Sequence, residues 1–215
     1  MANIYTIDSI RLNRKGLQIQ DAAGKWIDLH SQQGRLDGAC VVYSTIMALL
    51  SIGYLNEEDV DIWKKKNPDR RTSKGKLLSH LLDEQGLVRD GYYLKDMAKE
   101  IQSALKDYTV EHIPKPNCIY EVKESVEAGY PVILQVANEN FNHAILAIGT
   151  EYDPDDESLL KILCLDPGYP KSKTAYWNCI IDTSRKNSGD YPFWYITDEA
   201  TCKVELSEII TLEES

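Results

Sequence analysis

No apolar run in the 215-residue chain approaches the ~20 residues that a membrane-spanning helix needs, so no membrane partner is expected. The opening stretch, MANIYTIDSIRLNRKG, lacks the basic start and apolar core of a secretory leader. A cytoplasmic location is therefore expected, with leaderless export left open. There is no CxxC pair. The five cysteines, Cys40, Cys118, Cys164, Cys179 and Cys202, are odd in number and irregularly spaced, which argues against a disulfide framework and a zinc knuckle. Reduced thiols follow as the default, with no metal and no cofactor. Basic charge is scarce: 24 Lys and Arg face 34 Asp and Glu, for a net charge of −10. That excludes a broad phosphate-binding surface and hence nucleic acid as the partner. The short basic clusters KKKNPDRR (64–71) and KSK (171–173) read as solvated helix ends and a loop. Internal repeats and low-complexity linkers are also missing, and nothing in the sequence speaks to oligomeric state.

What is present is an ordinary globular composition, 43% hydrophobic and 27% charged, long enough for a sizeable core. Three zones differ in periodicity. Residues 1–30 hold short alternating segments, NIYTID, GLQIQD and KWIDLH, broken at Gly16 and Gly24, and read as an N-terminal β ribbon. Residues 31–129 read as a helical lobe, helical from residue 40. A first helix over about 40–50 has Gly53 just past its end. A second follows the cap Asn56 through EEDVDIWKKK, and a third follows Ser73. A fourth, over 93–108, carries Leu94, Met97, Ile101 and Leu105 at helical spacing, and a short fifth runs over 120–129. Residues 130–215 form a β lobe. YPVILQVAN, HAILAIGTEY and SLLKILCLDPG alternate with period two and predict an antiparallel meander, to which AYWNCIID and YPFWYIT add one or two strands. The class is α+β, one catalytic domain overall, with helices preceding sheet.

Candidate chemistry begins at DGACVVYSTIMALL. Cys40 stands at the predicted start of an apolar helix, where unpaired N–H groups and the helix dipole stabilise an anion such as a thiolate. Gly38 and Ala39 leave room beside it. A buried structural thiol is the competing reading. Of the four histidines, His30, His80 and His112 lie where exposure or local bonding is expected. His143 opens an apolar strand behind the polar loop NENFN, so it can face a helix start across a cleft. Asp166 ends the next strand, and antiparallel pairing returns that end to the start of the strand bearing His143. Asp166 can thus orient the imidazole, as a third group does for a Cys–His pair, and Asn178 is a weaker candidate for that job. The backbone N–H of Cys40 and the amide of Gln33 or Gln32 are candidate donors to an oxyanion.

Gln33-Gly34 followed by Gly38-Ala39-Cys40 resembles the papain-like cysteine peptidase pattern of Gln-Gly, then Gly-Ser-Cys and a helix. Asn142 to Gly149, NHAILAIG, is similar to the histidine strand of that superfamily. Asp166-Pro167 resembles the bacterial branch that removes double-glycine leader peptides. The resemblance implies a papain-like fold and a cysteine hydrolase acting on a peptide or protein substrate. In it Cys40 is the nucleophile, His143 the general base and acid, Asp166 the orienter and Gln33 the oxyanion donor. The Gln33–Cys40 spacing is one residue longer than in papain, which keeps Gln32 open as a substitute, and Val41 replaces the usual aromatic. Three activities fit these residues: amide hydrolysis, deamidation or acyl transfer on the same triad, and peptide or partner binding without turnover.

Overall fold

The computed structural model describes residues 2–8, 10–21, 23–34, 38–61, 68–83, 92–185 and 189–215. Four short strands come first: β1 (Asn3–Thr6), β2 (Ile10–Asn13), β3 (Gly16–Gln20) and β4 (Trp26–Asp28). Then come α1 (Cys40–Ser51), α2 (Glu57–Val60), α3 (Ser73–Asp83), α4 (Leu94–Ala104), β5 (Tyr108–Pro114) and α5 (Cys118–Glu127). The chain ends in β6 (Val132–Ala137), β7 (Asn142–Tyr152), β8 (Leu159–Leu165), β9 (Cys179–Asp182), β10 (Phe193–Thr197) and β11 (Thr201–Glu214). The architecture is mixed helix and strand, rich in sheet.

The large sheet is antiparallel throughout. Its pairings run β7–β6–β11–β10–β9–β8 and return to β7, with β1 added to β7 and β5 added to β11. The middle of β7, Ala144–Gly149, is buried on both faces, which is why it is apolar throughout rather than alternating. Ala144, Leu146 and Ile148 join the cluster formed with α1, α3, α4 and the ribbon. Ile145 and Ala147 turn the other way, toward Val122 and Val126 of α5 and the inner residues of β8 and β9.

α1 is buried on nearly every side: Val41, Val42 and Ser44 through Leu50 are all inside. A helix apolar all round belongs in a core, and burial of each large side chain such as Met47 or Leu49 is worth about 1.5–3 kcal/mol. The helix stops at Gly53, whose φ of 71° is the left-handed conformation that ends helices cheaply only in glycine. α4 buries Leu94, Met97 and Ile101 as its spacing predicts.

The structure corrects four local readings. Residues 40–129 are not all helical: β5 pairs with β11 over its whole length, from Tyr108 opposite Glu214 to Pro114 opposite Glu208. β1 leaves the ribbon and pairs with β7, Asn3 opposite Tyr152, so the small sheet is β2–β3–β4 alone. Asn56 does cap α2, in a reciprocal box with Asp59, but the helix ends at Val60, and 62–67 lie outside the described residues. Thr72 rather than Ser73 caps α3, its Oγ1 accepting the N–H of Gly75 at 3.0 Å.

Candidate active site

Cys40 is the first residue of α1. The preceding residue, Ala39, supplies no side-chain cap, and the backbone of Val41 is among the groups that lower the thiol. One turn on, the buried Ser44 donates its hydroxyl to the carbonyl of Ala144 at 3.1 Å. That bond pins the start of α1 beside the start of β7, where His143 sits.

His143 Nε2 lies 2.8 Å from Asp166 Oδ1, and the ring and the Cys40 thiol shift each other's proton affinity. Asp166 follows β8 directly. The register explains the meeting: Leu146 of β7 faces Leu165 of β8, so the beginning of one strand and the end of the other share a rim. The Cys40, His143 and Asp166 side chains thus come together at one rim of the sheet, the last two directly hydrogen-bonded.

Asp166 is fully buried, and each of its oxygens has a donor. Oδ1 also takes the N–H of Gly168 at 2.6 Å, and Oδ2 takes the hydroxyl of Tyr195. A side chain at position 168 would begin 3.0 Å from Oδ1, closer than all but about a tenth of real contacts, so glycine gives this turn its room. Burial and the nearby charges of Cys179 and Asp166 drive the Tyr195 hydroxyl far above its ordinary range, so it remains a donor. Asn178 does not touch His143. Its Oδ1 accepts the N–H of Asp166 at 2.7 Å and its Nδ2 donates to the carbonyl of Asp166 at 3.0 Å.

Burial by itself would push the Cys40 thiol up. The hydrogen bond and charge of His143, with backbone bonds from Ala144 and Val41, outweigh it and hold the thiol below its ordinary value of 9.0. Burial likewise opposes the charge on His143, but the bonds to Asp166 and Cys40 push the imidazole up to about 10. The two shifts are coupled: each group in its charged form favours the charged form of the other.

The other candidates fall as follows. Gln33 is half-buried and gives its backbone N–H to the carbonyl of Pro167 at 2.8 Å. Its Oε1 is buried with no partner among the described residues. Gln32 is exposed, and residues 35–37, which link Gln33 to the helix, lie outside the described residues. His80 pairs with the hydroxyl of Tyr92 at 2.8 Å, and His112 with Glu208. His30 is held inside, against the Asp166 carbonyl. Sequence reasoning missed Ser44, Gly168 and Tyr195, and it placed His30 in the wrong surroundings. Ser44, Tyr195 and His30 act across long separations, whereas Gly168 acts two positions from Asp166, in the Asp-Pro-Gly turn that offered a local signal. Among the described residues no group of three or more His, Cys, Asp or Glu could hold a metal ion, and no helix is long and apolar enough to cross a membrane.

A mixed, sheet-rich fold with a thiol, an imidazole and a carboxylate in series fits a hydrolase of the cysteine peptidase type. The family model described as the Peptidase_C39 like family matches residues 25–195, from the last ribbon strand through Tyr195. The chain belongs to this family and, through it, to the papain-like cysteine peptidase superfamily. No curated protein matches the chain.

Proposed function

We propose that the protein cleaves peptide or related amide bonds through a Cys40–His143–Asp166 triad, with an acyl-enzyme intermediate. The observation that carries this reading is the His143–Asp166 hydrogen bond of 2.8 Å at the rim of the sheet, on an imidazole whose closeness to Cys40 lowers the thiol. Cys40 sulfur attacks the carbonyl carbon, forming an S–C bond as the C=O electrons move to oxygen. The backbone N–H of Cys40 and the side-chain NH2 of Gln33 are the proposed donors to that oxyanion. The C–N bond then breaks, and the imidazolium gives its proton to the leaving amine. Water, deprotonated by His143, attacks the thioester and frees the acid. Asp166 keeps the ring in the required tautomer throughout. Asp166-Pro167 after the histidine strand supports kinship with the peptidases that remove double-glycine leaders.

The direct test is alkylation with iodoacetamide or a peptidyl epoxide at neutral pH, located by mass spectrometry. Cys40 is expected to react well ahead of Cys202, the other half-exposed thiol. Equal rates at the two thiols would remove the basis for a thiolate nucleophile. Incubation with peptide libraries then separates the chemistries: cleaved chains support hydrolysis, and a mass gain of about one dalton on intact chains points to deamidation.

A further inference from the structure

His30 lies just past β4, where the ribbon gives way to the segment leading to α1. Its Nε2 sits 2.9 Å from the backbone carbonyl of Asp166 and 3.2 Å from Asn178 Nδ2; the carbonyl can only accept and is the nearer partner, so Nε2 carries the proton and the imidazole is the donor to it. Asn178 Nδ2 donates to the same oxygen at 3.0 Å, and Asn178 Oδ1 receives the N–H of the same peptide at 2.7 Å. Both backbone polar groups of Asp166 are therefore held by side chains. The same ribbon exit reaches the adjoining loop twice more. Gln33 N–H bonds the Pro167 carbonyl at 2.8 Å, and Asp28 pairs with Lys171 at 2.7 Å. Between β8 and β9 no helix or strand supports this loop. The carboxylate that meets His143 thus rides on a segment whose placement depends on these few bonds.

We propose that His30 is a positioning residue: its N–H, with Asn178, fixes the Asp166 peptide so that Oδ1 meets His143, making the N-terminal ribbon part of the catalytic unit. The proposal rests on the triad reading above. His30 never meets substrate in this role and acts only through Asp166. The charged groups around it are the Asp166 carboxylate and the Lys171 ammonium, and burial holds its ring below the ordinary histidine value. The neutral ring retains the single N–H that the carbonyl requires.

Two substitutions separate the N–H from the ring. His30→Phe keeps the ring and deletes the donor, whereas His30→Gln loses the ring and keeps an amide N–H of similar reach. The readout is the rate of Cys40 alkylation by iodoacetamide from pH 5 to 9, which needs no known substrate, with thermal melting run in parallel. His30→Phe is expected to shift the acid limb upward and slow alkylation at pH 6 by about tenfold, while His30→Gln stays within about threefold of wild type. The proposal is overturned if folded His30→Phe keeps the wild-type profile, or if His30→Gln shifts it. Should His30→Phe fail to fold, His30→Gln decides alone: a wild-type profile supports the role and a shifted one ends it. A wild-type Cys40 that titrates like Cys202 is a different failure, that of the triad itself.

Discussion

Cys40 and the pair Cys164 and Cys179 carry the same thiol, and all three are largely shielded from water, yet they are tuned in opposite directions. Cys164 and Cys179 face each other on β8 and β9, fully inside, and burial drives both thiols well above 9.0. Asp166 and neighbouring thiols add like charge and push the same way. Cys40, less deeply buried, also feels desolvation, but the neighbouring His143 imidazole and the backbone at the helix start outweigh it. Burial makes a thiol inert unless a positive partner is buried with it. The partner is affordable because Asp166 is buried beneath it with both of its carboxylate oxygens bonded to donors.

The sharpest way to break this contrast is to delete each thiol. Cys40→Ala is expected to lower hydrolysis by about a thousandfold or more, whereas Cys179→Ala keeps turnover per folded molecule within about threefold. If Cys40→Ala retains turnover, the nucleophile lies elsewhere. Next comes the carboxylate. Asp166→Asn should cost roughly a hundredfold to a thousandfold in turnover and slow Cys40 alkylation at pH 6, measured on protein whose melting curve shows it folded.

The pH dependence of alkylation sharpens the contrast without mutation. Cys40 is lowered from 9.0 and His143 is raised to about 10, so the thiolate–imidazolium pair persists between the Cys40 value and about pH 10. The His143 contribution to stability is full below pH 6.5 and is lost as pH rises through about 10. The Cys40 contribution is full above 9.0 and is lost as pH falls through its lowered value. Alkylation of Cys40 should accordingly persist to lower pH than that of an ordinary thiol before it fails in acid. That of Cys202, whose thiol burial pushes up, should climb toward alkaline pH. Parallel profiles at the two sites would erase the difference.

Tyr195→Phe removes a single hydroxyl from Asp166 Oδ2 and should lower turnover by about tenfold with little change in KM. An unchanged kcat would reduce Tyr195 to packing. The smallest functional effect is expected at Cys179→Ser. A buried hydroxyl there should lower stability by about 1–3 kcal/mol in chemical denaturation and leave the Cys40 alkylation profile as it was.

Legibility varied with the range of the interactions involved. β6, β7 and β8 could be read because each strand is long, apolar and bounded by turn residues. α1 and α4 were legible from their apolar periods. β5 was not, since Tyr108–Pro114 carries charged and polar residues in a short run directly behind a helix, and its partner is almost a hundred positions away in β11. β11 itself hides its pattern, because the register slips between Leu206 and Glu208 and the alternation changes phase there. Gln33 was drawn from a local motif. What ties it to Pro167 is a backbone bond that no motif displays.

By itself, then, the sequence determined the order of helix before sheet, the placing of Cys40 at a helix start and of His143 at a strand start, and the Asp-Pro-Gly turn after β8. These are local matters of period, capping and turn chemistry. Only the tertiary structure decided that β1 and β5 complete the large sheet. It also decided that Ser44 ties α1 to β7, and that Tyr195, Asn178 and His30 converge on Asp166 from 29, 12 and 136 positions away. The reason is physical: a buried carboxylate needs every oxygen satisfied, and the fold recruits donors from wherever the packed chain brings them, at separations that no local pattern records.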